Sequence, residues 1–330
     1  MTQNSAETKK GITADQSRNI QILRGIAIIA TVMIHNTPNG TLQLVFRPFE
    51  NFSVGLFLFL SGYLSHFVQW HPWHRIRKII VPYIFWSVFY TLLYYHQSVL
   101  SDSLLILKQL ADGSSAAMMY YVFVYCELTL LFPLIRKMAE SRHHMLSLCI
   151  SPLEMLLLRT IPVLLHIDLP SWFQTIQRLS CIGWFSYFYL GCLYGNGILH
   201  IRIRKKKLLL FWIFSLLLQY MESWHYFSKG IVDFGTQMKL SSFMTDTIVL
   251  LFASEFIVNN QIKYSLIHKA GNRSFGIFFI HPASMALLTH FINAFPIMFP
   301  VNGAMTIGFS YALIILCERI FKRKFNFLGL

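Results

Sequence analysis

The sequence predicts an all-α integral membrane protein, a bundle of about ten transmembrane helices with both termini cytoplasmic. Three observations predict it. The 330 residues are 55% hydrophobic and only 13% charged, whereas a soluble domain carries roughly twice that charged share. The apolar residues fall in long runs rather than at amphipathic spacing, which is the membrane pattern. The basic residues gather in alternate loops between those runs.

Taken in order, residues 1–17 are polar, with no apolar stretch and no small-residue cleavage site. They read as a disordered cytoplasmic tail and not as a signal peptide, so the first span acts as an uncleaved anchor. Residues 18–330 then read as one transmembrane domain. Its spans are expected at 19–38, 49–69, 79–96, 118–135 and 145–167, then 180–199, 208–223, 243–258, 271–295 and 297–321. The fifth is the most interrupted, by Pro152, Glu154, Arg159 and Pro162. No solenoid or inverted repeat is visible, so the chemistry is expected inside the bundle or its short loops.

The charge pattern orients the bundle. One set of alternate loops holds Lys9, Lys10 and Arg18; Arg75, Arg77 and Lys78; and Arg136, Lys137 and Arg142. It continues with Arg202, Arg204, Lys205, Lys206 and Lys207; Lys263 and Lys269; and Lys322, Arg323 and Lys324. The other set holds only Arg47, Lys108, Arg178, Lys229 and Lys239. The bias survives every alternation, which requires an even number of spans and both ends inside. The net charge of +14 therefore reads as a topology signal in a cell-membrane protein. A nucleic-acid partner is not expected, since no aromatic-rich basic face accompanies it. Cys126, Cys149, Cys181, Cys192 and Cys317 lie scattered through apolar segments without metal-like spacing, so neither disulfides nor a metal are expected.

Ionisable groups inside spans are costly and mark function when they face the interior. Arg24 and His35 are eleven residues apart in the first span. At about 100° per residue that places them on one face, roughly 16 Å apart along the axis. Either residue alone reads as interfacial, but together on one face they point to function. Arg75 and Lys78, three apart, are neighbours where the third span begins. A basic pair there suits phosphate groups, although from spacing alone plain positive-inside charge with lipid-headgroup contact is the better explanation. Glu127 is a lone carboxylate in the fourth span and needs a partner: Arg24, His35 or a proton. His281 precedes Pro282 in the ninth span and is expected to bond a backbone carbonyl freed there. His66, His96 and His290 read as interfacial.

Several segments together resemble the membrane acyltransferase-3 family. They are the Arg24–His35 arrangement, Ser61-Gly62-Tyr63-Leu64, and the basic loop running into Pro82-Tyr83-Ile84-Phe85-Trp86. Further on come Tyr120-Tyr121-Val122-Phe123, Phe132-Pro133-Leu134, Trp184-Phe185-Ser186-Tyr187-Phe188-Tyr189-Leu190-Gly191 and Ser274-Phe275-Gly276-Ile277-Phe278-Phe279-Ile280-His281-Pro282. The resemblance implies a ten-span bundle that takes an acyl group, commonly acetyl, from acyl-CoA inside and passes it to a sugar hydroxyl of an envelope or exported polysaccharide. It implies a catalytic base at His35 and a donor-orienting role at Arg24. The two arginines usual in the family after the second span appear here as Arg75 and Lys78, which keeps charge but loses a bidentate fork. Many relatives carry a further extracytoplasmic domain that has no counterpart in these residues.

The expected reaction is direct transfer from acetyl-CoA to a carbohydrate acceptor, with neutral His35 taking the hydroxyl proton. Arg75, Lys78 and Arg24 are expected to hold the donor, and Glu127 to orient the imidazole or balance Arg24. The rival readings are a transporter using the same ions as a substrate or proton path, and a non-catalytic export component. Trp172, Trp224 and Tyr226 on the outer loops are candidate glycan contacts, although aromatics also collect at any membrane interface.

Overall fold

The computed structural model describes residues 11–102, 104–201, 203–231, 234–321 and 328–329. Lys9, Lys10, Arg202, Lys322, Arg323 and Lys324, and residues 1–10 of the predicted tail, lie outside the described residues. Among the described residues every regular element is helical. In chain order they are α1 (Ala14–Asn36), α2 (Thr41–Glu50), α3 (Phe52–Ser65), α4 (Pro72–Ser101), α5 (Leu105–Asp112), α6 (Tyr120–Glu140), α7 (Ile150–Met155) and α8 (Ile161–Leu164). There follow α9 (Ser171–Leu179), α10 (Phe185–Gly195), α11 (Lys205–Ser228), α12 (Leu240–Asn259), α13 (Ser265–Asn272), α14 (Ser274–Phe291) and α15 (Val301–Phe321).

Among the described residues seven helical stretches are long and apolar enough to cross a bilayer: Ala14–Asn36, Thr41–Ser65, Pro72–Ser101, His144–Leu164, Leu240–Asn259, Ser274–Phe291 and Val301–Ile320. The remaining three predicted spans fall on α6, α10 and α11, and each departs for a visible reason. Helix α6 carries Glu127 and ends in Arg136, Lys137 and Glu140. Helix α11 opens on three lysines and holds Glu222 and His225 near its far end. Helix α10 has 11 residues, so it rises only about 16 Å against a hydrocarbon core of roughly 30 Å.

Helix α1 runs through the middle of the bundle. Ile20, Leu23 and Ala27 join one apolar cluster with α3, α6, α10 and α12, whereas Ile28 and Val32 join a second with α4 and α14. Its buried residues face neighbours on more than one side, which places α1 inside the bundle in spite of Arg24 and His35. It begins at Ala14, ahead of the predicted 19, because Thr13 and Gln16 close a reciprocal capping box. Its ends are tied down by polar side chains. The Asn19 amide donates to the carbonyls of Phe256, Ile257 and Asn260 at 3.0–3.2 Å, closing the end of α12. At the other end Asn302 donates to the Asn36 carbonyl at 2.9 Å and Thr306 to the Asn36 side chain at 3.1 Å. These clamps fix the turn that carries His35.

Short helix α10 is buried along nearly its whole length against α3. A Cβ at Gly62 would collide with the Phe188 carbonyl, and one at Gly191 with that of Phe59. Small residues let the two backbones touch, which is how helices associate where hydrophobic drive is absent. Lipid-facing surface is supplied elsewhere, by Ile84, Phe85, Phe89, Leu92 and Leu93 on α4 and by Leu210, Phe211, Phe214 and Leu217 on α11.

Candidate functional site

A cavity of about 980 Å³ opens at the end of the bundle where α1 finishes. It is lined from the last turns of α1 by Thr31, Ile34 and His35, and from the first turns of α6 by Tyr120 and Tyr121. Trp184, just before α10, and Lys239, just before α12, belong to the same end. Alternating helix directions thus bring one end of each element to one place. The volume stands at the upper limit of the ~300–1,000 Å³ usual for small-molecule sites.

His35 is half-buried in this wall. Its ring lies 5.2 Å from that of His281 on α14, centroid to centroid. His281 is fully buried, with Nδ1 2.8 Å from the Phe278 carbonyl and 3.1 Å from that of Ile277. Pro282 cannot donate to the Phe278 carbonyl, and the imidazole takes its place. Since Nδ1 must carry the proton to make these bonds, Nε2 is the acceptor, and this atom has no hydrogen-bond partner among the described residues. The positive charge of Arg47, from α2, also reaches His35.

Arg24 does not reach the cavity. It sits behind Tyr121, in the electrostatic reach of the Tyr121 and Tyr125 hydroxyls. Those two tyrosines stand one turn apart on α6, with ring centroids 6.2 Å apart. Tyr121 lines the cavity and hydrogen-bonds Ser61 of α3, whereas Tyr125 lies within reach of both Arg24 and Arg75. Arg75, Tyr125, Arg24 and Tyr121 thus form a polar seam, a line of side chains within electrostatic reach of one another that ends at the His35 cavity.

At the far end of the seam, Arg75 is half-buried and donates to Ser65 Oγ at 3.0 Å. Ser65 borders a smaller cavity of about 220 Å³ with His66, Gln69, Trp70, Arg136 and Asn196. Lys78 is exposed, so the structure turns Arg75 inward and leaves Lys78 at the surface. Glu127 meets neither Arg24 nor His35 by a hydrogen bond. Its carboxylate accepts the backbone N–H of Cys181 at 2.6 Å, which anchors the turn leading to Trp184 and α10.

A family model described as an acyltransferase domain matches residues 17–318. The chain belongs to the acyltransferase-3 family. No curated protein and no solved structure matches it. The match covers every element named above apart from the first residues of α1 and the last of α15, so both cavities and the seam lie within the acyltransferase domain.

Several lining residues carried no functional weight in the sequence. Arg47, Arg178 and Lys239 stood out there only as sparse charges on the poor side of the positive-inside pattern, and Arg159 as an interruption of the fifth span. That sparseness was the usable signal, because a cation kept where topology disfavours it needs another reason to be there. Arg159 lies on a π-helical turn, Leu156–Thr160, inside the His144–Leu164 stretch. Lys239 is 2% exposed and donates to Ser223 Oγ and the Phe234 carbonyl. Burial pushes its ammonium down to about 8, with Glu222 acting the other way. Of the three outer aromatics, Tyr226 lines the cavity, whereas Trp172 and Trp224 are exposed. Cys181 and Cys192 are buried free thiols and Cys149 is exposed. Among the described residues no group of three His, Cys, Asp or Glu side chains is arranged to hold a metal ion.

Proposed function

We propose that this acyltransferase-family protein is an O-acetyltransferase of the cell membrane, moving an acetyl group from cytoplasmic acetyl-CoA to a hydroxyl of a carbohydrate on the outer side. In this reading α6, α10 and α11 complete a ten-span bundle with both termini inside, residues 1–17 form its cytoplasmic tail and residues 18–330 its single domain. The observation that carries the proposal is the polar seam joining Arg75 at one end of the bundle to His35 in the large cavity at the other.

The donor's charged nucleotide stays at the cytoplasmic rim, where Arg75 and Lys78 supply phosphate contacts. Its thin pantetheine arm follows the seam past Arg24, which positions it. The acceptor sugar enters the large cavity from outside, and His35 removes the proton of its hydroxyl. The hydroxyl oxygen attacks the thioester carbonyl, a C–O bond forms, and the C–S bond breaks. The sulfur leaves as thiolate and takes the proton back from the His35 imidazolium. Products are the O-acetyl sugar and free coenzyme A. His281, held by its Nδ1–H, presents a neutral ring to His35 and fixes its orientation. Glu127 acts at one remove, by holding Cys181 and through it the Trp184 wall.

The test uses membranes containing the wild type or His35→Ala, radiolabelled acetyl-CoA and crude envelope glycan from the source cells. Label in the glycan with wild type alone supports the proposal. Transfer by both removes His35 as base, and transfer by neither moves the reading to transport.

A further inference from the structure

The large cavity is charged in a way that acyl transfer by itself does not require. Among the described residues, its charged lining side chains are Arg47, Arg159, Arg178 and Lys239, with one acid, Asp168. Glu154, Glu50 and Glu222 stand close to Arg159, Arg47 and Lys239 in turn, without lining the cavity. Glu154 accepts from Arg159 Nε at 3.2 Å and so fixes the guanidinium by one edge. Glu50 is buried beside Arg47 and accepts from Thr37. Arg178 donates to the Asp112 carbonyl at 2.8 Å, a neutral oxygen, whereas Lys239 donates to a hydroxyl and a carbonyl with Glu222 in electrostatic reach. Face to face with the cavity, the wall offers cationic N–H donors.

A second observation is independent of charge. Leu158, Arg159 and Thr160 enter the wall from a π-helical turn, a backbone irregularity that recurs at functional sites. Arg159 thus reaches the cavity from the π turn of a span that also opens on a 3-10 turn. Beside it Tyr120 and Trp184 line the same wall, their rings stacked at 6.0 Å and 23°. In the acyl-transfer reading the donor's phosphates sit at the opposite end, by Arg75 and Lys78, so the cations of this wall lie on the acceptor's side.

We infer that the acceptor is an anionic glycan, whose carboxylate or phosphate is read by the cations of the His35 cavity while a neighbouring hydroxyl meets the imidazole. This rests on the acyl-transfer reading above and adds the class of its substrate. Carboxylate and phosphate share the chemistry, and the two probes below distinguish them.

The experiment measures binding to the full chain, purified in uncharged detergent, by titration calorimetry. The probes are trigalacturonate, its methyl ester, and a glucose 1-phosphate-terminated disaccharide. The expected result is that trigalacturonate, the phosphodisaccharide or both bind about tenfold or more tightly than the ester. Salt above about 0.1 M weakens that advantage. Arg178→Gln and Arg159→Gln each remove most of it and leave acetyl-CoA binding unchanged. The acid–ester comparison in the wild type needs no variant to fold. Equal binding of charged and neutral probes, with transfer to a neutral glycan intact, overturns the inference and leaves acyl transfer standing. Loss of acetyl-CoA binding in Arg178→Gln assigns these cations to the donor and overturns it equally. Preferential binding of the charged probes, with no label transfer to any acceptor, supports the anionic site and removes the transfer reading instead.

Discussion

At the residue scale, two histidines meet in a wall of the large cavity, and only one of them lines it. His35 lines it, whereas His281 is sealed behind it and held by backbone carbonyls. The account therefore predicts different losses. His35→Ala should lower transfer by about 10²- to 10⁴-fold, the usual worth of a general base, with membrane insertion unchanged. His281→Gln should lower turnover less, without altering the donor KM; a His281 variant more damaging than His35→Ala would reverse the two roles. Arg75 and Lys78 also separate. Arg75 is drawn inward to Ser65, while Lys78 stays exposed. The double variant Arg75→Ala, Lys78→Ala should raise the donor KM by about tenfold or more, with Arg75 responsible for most of it. An unchanged KM would remove the phosphate site. What was legible here was what lies on one helix. Arg24 and His35 share a face by spacing alone, whereas Arg47, Arg159, Arg178 and Lys239 come from four separate segments. Their meeting is a tertiary fact that no local pattern encodes. Glu127 shows the converse, since the need for a partner was readable but the partner, a backbone N–H of Cys181, was not.

At the element scale, the site depends on how closely α3 and α10 approach. Gly62 and Gly191 put the two backbones in contact, and this fixes the Trp184 wall relative to α3. Gly191→Ala should destabilise the protein by about 1–3 kcal/mol through overpacking, read as a lowered thermal midpoint in detergent. An unchanged midpoint would mean that the two helices can separate at little cost. The sequence predicts a span at 180–199, and α10 is there a helix of 11 residues buried along nearly its whole length, a shortness and burial that apolar composition does not reveal. The same ambiguity explains α6 and α11. Their charged ends lower the apolar average although both are longer than 20 residues. The interruptions of the fifth span were legible, but their consequence, a π-helical turn aiming Arg159 at the cavity, was not. Hydrophobic periodicity does not distinguish a π-turn from a regular one.

At the scale of the whole molecule, the two cavities occupy opposite ends of the bundle and the seam joins them. The large one collects Asn39, Arg47, Arg178 and Lys239, all from the loops poor in positive charge. The small one collects Arg136, and Arg75 hydrogen-bonds its Ser65, both from the rich loops. In the proposed topology, with both termini inside, the small cavity faces the cytoplasm and the large one the outside. In a cysteine-free background, Ser141→Cys should react with a membrane-impermeant maleimide only from the cytoplasmic side, and Asn39→Cys only from the outside. Both reacting from one side would break the even-span topology. The family and the helical membrane class were legible because they rest on ordered local segments and on long apolar runs.

The central claim is that an acyl group crosses the bundle along the seam to His35. Proteoliposomes offer the most direct test, with labelled acetyl-CoA confined to the side of Arg75 and acceptor glycan to the side of His35. The account predicts label on the glycan across the bilayer with wild type, and none with His35→Ala. Label that appears only when donor and acceptor share one compartment would contradict it.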